Sequence, residues 1–347
     1  MIGLDIGTTR VRAAEVVVAG RGAAAQPTLV RYGEVALPPG AVRDGEVEDA
    51  STVSTALRRL WAESKFPTRD VNIGVGNQRV VVREVRLPWM PMPQLRGSLA
   101  FQVQDLLPMD TDEALMDYFP TGEAEDASGR VLNGMLVAAT RDTVRANVMA
   151  VEAAGLRPQM VDLSAFALLR SIVRGELTGR TVAVVDVGAR ITQLLISASG
   201  MPRFVRMLPS GGQNVTDAVA SAMSISQPDA ENVKREVGIG FAVRPDLAPA
   251  AEAVNGVVRP LVEAVRNTFV YFQGNNPGSG IDVVVLAGGG AHLPGLGQYL
   301  SSASRLPVTL GDPFATIRIA KQLNAGSLQQ ESSTLAMPIG LALGVAS

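Results

Sequence analysis

The sequence contains no cysteine and a single histidine, His292. Without cysteine the chain has no disulfide bond, no thiol nucleophile and no thiolate metal ligand, which agrees with a reducing cytoplasm. One histidine argues against a zinc site of several imidazoles and against a Ser-His-Asp hydrolase. An excess of one charge is also missing: 31 basic residues stand against 33 acidic ones, and no basic block indicates binding to nucleic acid.

Signals for export and for membrane insertion are absent as well. The first residues lack the basic region and the apolar core of a signal peptide. The longest apolar stretch near an end, 335–346, is interrupted by Pro338 and two glycines and is shorter than the roughly 20 residues of a membrane span. We therefore expect no direct membrane insertion. With 347 residues, 47% of them hydrophobic, the chain can bury sizeable cores in about two domains.

The sequence contains an internal repeat. Residues 2–7 and 182–188 each form an apolar run that ends in Asp-x-Gly, and a second β-rich run follows at 11–18 and 191–197. Further strands are predicted at 29–37 and 201–208, and helices at 51–65 and 214–224. The repeat predicts two similar α/β lobes, 1–178 and 179–347, with a cleft between them.

Each lobe carries additional material. In the first lobe, residues 77–150 read as an inserted subdomain. Its predicted elements are a strand at 79–87, a helix at 93–107, strands at 113–121 and 130–140, and a helix at 141–154. In the second lobe the insertion spans 214–274, with a core helix that starts at Pro260.

The first Asp-x-Gly turn has the chemistry of a phosphate site. Gly7 lets backbone N–H groups approach an anion, and Thr8 and Thr9 add hydroxyl donors. Asp5 ends a strand beside the turn and could hold a hydrated Mg²⁺, while Arg12 on the next strand could reach a phosphate. An ordinary tight hairpin explains the same residues without a ligand.

The second turn repeats the first, with Asp186, Gly188, Ala189 and the hydroxyl of Thr192. Either turn alone is weak evidence. Two such turns, one in each lobe, would face each other and hold a polyphosphate from both sides, with Asp5 and Asp186 as Mg²⁺ ligands through water. Gly211 and Gly212, which precede the second-lobe helix, complete the predicted phosphate-binding set.

A third loop follows a fully apolar strand at 283–287. Gly288, Gly289 and Gly290 expose backbone against which a flat ligand can lie, because no Cβ obstructs it. A strand–helix turn that requires glycine conformations is the alternative explanation.

Taken together, the three loops resemble the phosphate-1, phosphate-2 and adenosine motifs of the superfamily of actin, heat-shock chaperones and sugar kinases, over nearly the whole chain. Residues 82–88 with the helix after them, 107–110 and 153–158 further resemble the PilM family of type IV pilus assembly proteins and its relative FtsA. The resemblance implies an actin-like fold, in which two RNase H-like lobes surround a nucleotide cleft that binds ATP and Mg²⁺.

The resemblance also implies roles for single residues. Lys234 and Glu231 approach the nucleoside, and His292 borders the adenine. Ala189 replaces a carboxylate of actin near the γ-phosphate, so Asp162 and Gln193 are the remaining candidates to position the attacking water. We therefore expect ATP binding with at most slow hydrolysis.

Members of the PilM family bind the N-terminal cytoplasmic peptide of a PilN inner-membrane protein in a groove beside the inserted subdomain. The resemblance therefore implies a cytoplasmic scaffold that links this partner to a pilus motor ATPase or platform protein, with homo-oligomers possible. The sequence shows no C-terminal amphipathic membrane helix of the FtsA type, so we expect attachment to the inner membrane through a partner. The alternatives are an FtsA-like division filament and a sugar-kinase-type phosphotransferase.

Overall fold

The computed structural model describes residues 1–20, 26–127 and 129–344. The last three residues of the predicted second lobe, which include the end of the apolar stretch 335–346, lie outside this range. The strands are β1 (Ile2–Ile6), β2 (Arg10–Ala19), β3 (Gln26–Ala36), β4 (Val42–Arg43), β5 (Glu46–Val47), β6 (Asp70–Val75), β7 (Val80–Pro88), β8 (Ala114–Asp126), β9 (Gly129–Thr140), β10 (Arg157–Leu163), β11 (Thr181–Val187), β12 (Thr192–Ala198), β13 (Met201–Leu208), β14 (Val283–Ala287), β15 (Val308–Leu310) and β16 (Arg318–Ile319). The helices are α1 (Ala50–Ser64), α2 (Met92–Val103), α3 (Arg141–Ala153), α4 (Ser164–Ile172), α5 (Gly212–Met223), α6 (Gln227–Val237), α7 (Ala248–Asn275), α8 (Leu296–Ser304), α9 (Ala325–Gln330) and α10 (Ser332–Ala342).

The two main sheets repeat one topology. The first has the order β10-β6-β1-β2-β3-β16 and the second has the order β15-β14-β11-β12-β13. In both, the first strand of the lobe pairs antiparallel with its hairpin partner and parallel with the strand that follows the helix. The predicted two-lobe α/β architecture is confirmed.

Helices cover both sheets. α1 and α3 contribute to the core on one face of the first sheet, and α5, α7 and α8 cover the outer face of the second. α4 and α10 lie between the lobes, where Leu168 and Leu341 share a core with Val184 and Val285. The contacts there are very close: a Cβ on Gly3 would lie 2.0 Å from the Pro338 oxygen, and one on Gly340 would lie 1.9 Å from the Ala167 oxygen. Only glycine fits at these two positions.

The inserted subdomain is a three-stranded sheet of order β7-β9-β8. α2 packs on one face of it, around Leu95 and Tyr118, and the other face meets α4 through Met135 and Phe166. The helix at the end of the predicted insertion, α3, packs against the first sheet instead.

Two helices begin earlier than the sequence predicts. α1 begins one residue earlier than predicted, and its cap is Asp49, whose carboxylate accepts the Thr52 N–H at 3.0 Å. α7 begins at Ala248 and continues through Pro260, because the buried apolar face on both sides of the proline outweighs one missing hydrogen bond.

The C-terminal elements return to the first sheet, although the predicted boundaries assigned them to the second lobe. β16 pairs in parallel with β3, and Leu335 and Ile339 of α10 pack with Ala14 and Leu29. Within the described ranges, no helix is both long and apolar enough to span a bilayer.

Candidate functional site

The two Asp-x-Gly turns have the same geometry. The Gly7 N–H donates to the Arg10 oxygen at 3.0 Å, and the Gly188 N–H donates to the Ile191 oxygen at 3.0 Å. A Cβ would lie 3.0 Å from the acceptor oxygen at Gly7 and 2.7 Å from it at Gly188, so side chains are disfavoured in both turns. The turns are therefore equivalent positions of the two lobes.

Each turn places a carboxylate beside one cross-strand neighbour. Asp5 is paired in register with Arg12, and their side chains approach to 3.7 Å. Asp186 is paired in register with Gln193, which is 9% exposed and whose Oε1 has no hydrogen-bond partner in the described part of the chain. The first carboxylate thus has a cation beside it, and the second has a neutral amide.

The two carboxylates lie close enough to interact electrostatically. Burial and the negative charge of Asp5 together raise the pKa of Asp186 to about 7, and Arg12 opposes the rise. Burial also raises the pKa of Asp5 above 3.8, and Arg12 opposes that rise. The predicted meeting of the two turns across the cleft is consistent with this coupling.

A hydrated Mg²⁺ fits this donor set. Magnesium usually keeps several waters and is bound by one or two carboxylates together with phosphate oxygens, and two facing carboxylates supply that arrangement. In the described ranges no three His, Asp or Glu side chains converge as a metal site, so an ion here would depend on the phosphates for further ligands. When bound, the ion would neutralise charge on the phosphates and on both carboxylates.

The glycine loop after β14 lies against the second turn. Gly288 has φ 79°, and a Cβ there would lie 2.6 Å from Asp186 Oδ1. A Cβ on Gly289 would meet no atom within 4 Å, whereas one on Gly290 would collide with Val187. Gly289 is therefore the glycine of this loop that faces open space.

Ser333 at the start of α10 holds this loop in place. Its backbone oxygen accepts the Gly288 N–H at 3.1 Å, and its hydroxyl lies 2.8 Å from His292 Nε2. His292 is exposed, as a residue that borders a ligand would be. Nothing in the local sequence indicated Ser333, because its two contacts are about 40 residues away along the chain.

The start of α5 is fixed to the second turn through backbone atoms. The Gly212 N–H donates to the Gly188 oxygen at 2.9 Å, and the Gln213 N–H donates to the Ala189 oxygen at 2.7 Å. A Cβ on Gly211 would lie 2.4 Å from the Gly188 oxygen, which explains the glycine at that position.

The threonines of the two turns differ. The Thr192 hydroxyl is fully buried and donates to the Ser210 oxygen at 2.7 Å, so it fixes the strand rather than facing the cleft. Thr8 and Thr9 are at least partly exposed. Their hydroxyls and backbone N–H groups have no acceptor among the described residues, which leaves them available to an anion.

Lys234 lies beneath Gly212 in a nearly buried network. Its ammonium donates to the Gly212 oxygen at 3.2 Å, the Thr216 hydroxyl at 2.9 Å and Glu231 Oε2 at 2.5 Å. Burial opposes the charge on Glu231, but the hydrogen bonds from Lys234 and Thr216 lower its pKa overall. Both residues therefore already have protein partners, and they support the loop that faces the cleft.

The two candidates for positioning water are differently placed. Asp162 on β10 forms an ion pair with Arg170, and β6 separates it from β1. Arg170 also donates to the Gly340 oxygen at 3.1 Å, so this pair ties α4 to α10, and the geometry gives no support to a water-positioning role. Gln193, by contrast, is the cross-strand neighbour of Asp186.

Two further contacts of the second turn were not predicted. Arg190 forms an ion pair of 2.5 Å with Asp217 on α5. A Cβ on Gly45, in the β4–β5 hairpin of the first lobe, would lie 3.1 Å from both Ile191 and Asn77. This second contact brings the turn close to Asn77, which precedes the first strand of the inserted subdomain.

Two sheets of one topology, each with a glycine turn at a central cleft, define the actin-like fold, and solved structures agree. The chain aligns with MreB5 of Spiroplasma citri, solved with AMPPNP, at a TM-score of 0.55 and 14% identity over 99% of this chain and 94% of that one. A closer likeness is to the PilM–PilN type IV pilus biogenesis complex, with a TM-score of 0.85 and 26% identity over 99% and 97% of the two chains.

Comparison of the sequence with protein-family models identifies its family. The model of the family "Type IV pilus assembly protein PilM" matches residues 3–345, and the chain belongs to this family. The cell division protein FtsA of Bacillus subtilis (strain 168) is a more distant relative, 19% identical over 265 residues. That match covers 69% of this chain and 58% of FtsA, so the chain spans little more than half of that relative. The resemblance predicted from the sequence is confirmed.

Proposed function

We propose that this protein is an ATP-binding scaffold of type IV pilus assembly, which binds the N-terminal cytoplasmic peptide of a PilN-like inner-membrane protein. Through that peptide it would stay at the inner membrane and link the partner to the pilus motor ATPase or platform protein. The observation that carries the nucleotide part is the pair of equivalent glycine turns, one in each lobe, which bring Asp5 and Asp186 close enough to interact. The partner is proposed from the family and from its structural likeness to the PilM–PilN complex.

In the proposed complex the phosphates lie between the turns at Gly7 and Gly188. Thr8 and Thr9 donate to them from the first lobe, and Asp5 and Asp186 hold Mg²⁺ through water. The nucleoside lies along Gly289 near His292, above the loop that Lys234 and Glu231 support. Gln193 is the remaining group beside Asp186 that could orient water, so turnover is expected to be slow.

Calorimetry with Mg²⁺ and ATP tests the nucleotide site. Gly289→Asp places a carboxylate in the open space of the glycine loop, where it would repel phosphate and fill the ligand volume. Gly274→Asp is the matched control, because a Cβ on this exposed helical glycine also meets no atom. We expect ATP binding to be lost in the first variant and kept in the second. Equal binding by both would reject the assigned site.

An apolar surface on the inserted subdomain suits the partner peptide. Leu115 and Phe119 of β8 remain 40% and 39% exposed, on the face of the sheet that meets α4. The Phe119 ring lies 5.2 Å from that of Phe166, which extends the surface onto α4. β8 is also an edge strand, so an extended peptide could add backbone hydrogen bonds to it.

A chain of contacts connects this subdomain to the nucleotide turns. Ile191 meets the β4–β5 hairpin at Gly45, and Glu46 in that hairpin accepts hydrogen bonds of 2.9 Å from Asn77 and Thr143. These two residues flank the start and the end of the inserted sheet. ATP that fixes the angle between the lobes would therefore also bias the position of the subdomain.

A synthetic N-terminal peptide of a PilN-like protein tests the partner surface. Phe119→Asp should weaken peptide binding at least about tenfold, because it puts a charge into an apolar contact. Phe101→Asp is the control: this side chain is 78% exposed on α2, on the opposite side of the same sheet. If Phe101→Asp is the damaging variant, the peptide binds along residues 80–107 on the α2 side instead.

A further inference from the structure

A pocket of about 650 Å³ opens on the first lobe, at the end of its sheet remote from the turns. It lies where α1 ends and α3 meets β10. Trp61, Phe66 and Leu156 form an apolar floor, in which the rings of Trp61 and Phe66 lie 4.9 Å apart. The Trp61 indole N–H donates to the Thr68 oxygen at 2.9 Å, which fixes the ring in the floor.

Three arginines line the rim of this pocket. Arg58 donates to the Ala153 oxygen at 2.9 Å, and Arg69 donates to the Gly155 oxygen at 3.2 Å, so the end of α3 orients both guanidinium groups. The third, Arg157, forms an ion pair of 2.8 Å with Asp70. Among the described residues neither Arg58 nor Arg69 has a carboxylate partner, and each guanidinium has five N–H donors. The rim therefore carries excess positive charge with free donors.

We propose that this Trp61 pocket binds an acidic segment of a partner protein, in which an aromatic or aliphatic side chain is flanked by carboxylates. The apolar floor would take the side chain, and each oriented guanidinium group would donate two hydrogen bonds to a carboxylate. A concave floor of aromatic residues suits a single side chain better than a flat membrane surface. The proposal goes beyond the proposed function and does not depend on nucleotide or on the PilN-like peptide.

The two tryptophans of the chain, Trp61 and Trp89, give a direct test. In ¹H–¹⁵N spectra of the full chain each indole N–H gives one signal, and Trp89→Phe assigns them. The probe is a panel of eight-residue peptides with one Phe, Trp or Leu among Glu residues, and the control panel carries Lys in place of Glu. We expect an acidic peptide to shift the Trp61 signal, with a dissociation constant below about 1 mM, and to leave the Trp89 signal unchanged.

Charge reversal on α1 supplies the matched variants. Arg58→Glu should weaken acidic-peptide binding by about tenfold or more, whereas Arg59→Glu, at an exposed position outside the pocket, should change it less than about twofold. Arg157→Gln repeats the test at a second rim position if Arg58→Glu does not fold. The proposal is overturned if no acidic peptide shifts Trp61, if both reversals act equally, or if vesicles of phosphatidylglycerol bind through Arg58 while the peptides do not.

Discussion

The ionised form of Asp186 should destabilise the folded protein in the absence of ligand. Its pKa is raised from 3.8 to about 7 by burial and by the neighbouring charge of Asp5. The folded state therefore binds the proton more tightly than the unfolded state. The stability from this protonated form is fully present below pH 3.8 and is lost as the pH rises through about 7.

Asp186→Asn removes the ionisation and keeps the shape of the side chain. At about 1.4 kcal/mol per pH unit, the rise in pKa corresponds to about 4 kcal/mol. The free energy of unfolding of the variant, relative to that of the wild type, should therefore rise by about 4 kcal/mol as the pH increases from about 4 to 8. Unfolding by urea in EDTA, without nucleotide, measures this difference. Asp246→Asn, at an exposed position, is the control for the substitution itself.

Mg²⁺ and ATP should narrow the difference in the free energy of unfolding between the two proteins. A ligand at 100 times its dissociation constant adds about 2.7 kcal/mol to the wild type, and Asp186→Asn should gain little because a metal ligand is gone. If the stability difference between variant and wild type did not change with pH, the argument that Asp186 is buried opposite a second carboxylate would be refuted.

Three further substitutions test packing and support of the site. Gly340→Ala should lower the free energy of unfolding by about 2 kcal/mol, because its Cβ would lie 1.9 Å from a backbone oxygen of α4. Gly97→Ala is the control: its Cβ lies in open space on α2, so it should raise the free energy of unfolding by about 0.5–1 kcal/mol. Thermal unfolding followed by calorimetry measures both changes. Lys234→Met should cost about 1–2 kcal/mol in urea unfolding, because Glu231 loses the ammonium hydrogen bond and keeps only Arg235 and Thr216 as partners. An unchanged midpoint would contradict this network. Gln193→Leu should raise the melting temperature slightly, by removing an unpaired buried oxygen, and lower ATP turnover in a phosphate-release assay.

The turns could be predicted from the sequence because their chemistry is local. A hairpin that returns within four residues and must accept a close backbone oxygen requires glycine, and an apolar β-rich run before it marks the strand. Gly7 and Gly188 therefore stand out in each half without any knowledge of the fold. The same holds for Gly289, since consecutive glycines after a buried strand weaken a fold unless the space is used.

Contacts between distant segments could not be predicted in this way. Whether the Thr192 hydroxyl faces a ligand or the Ser210 oxygen depends on how β13 leads into α5. Asp162 is paired by Arg170 one helix later, and the return of α10 to the first sheet depends on Gly3 and Gly340, which look ordinary in the sequence. Each of these contacts depends on tertiary packing, and no local sequence pattern indicates it.

The difference between the two lobes is as informative as their likeness. One cross-strand position holds Arg12 in the first lobe and Gln193 in the second, each opposite the carboxylate that ends the preceding strand. A guanidinium beside Asp5 already balances part of its charge, so a cation gains less there. Asp186 has no ion-pair partner among the described residues, and its pKa is raised to about 7 although Arg12 acts on it from the first lobe. The second lobe therefore gains most from a divalent ion. The Gln193 side chain, in register with Asp186, has an unpaired Oε1 that lies against Gly76 of the first lobe.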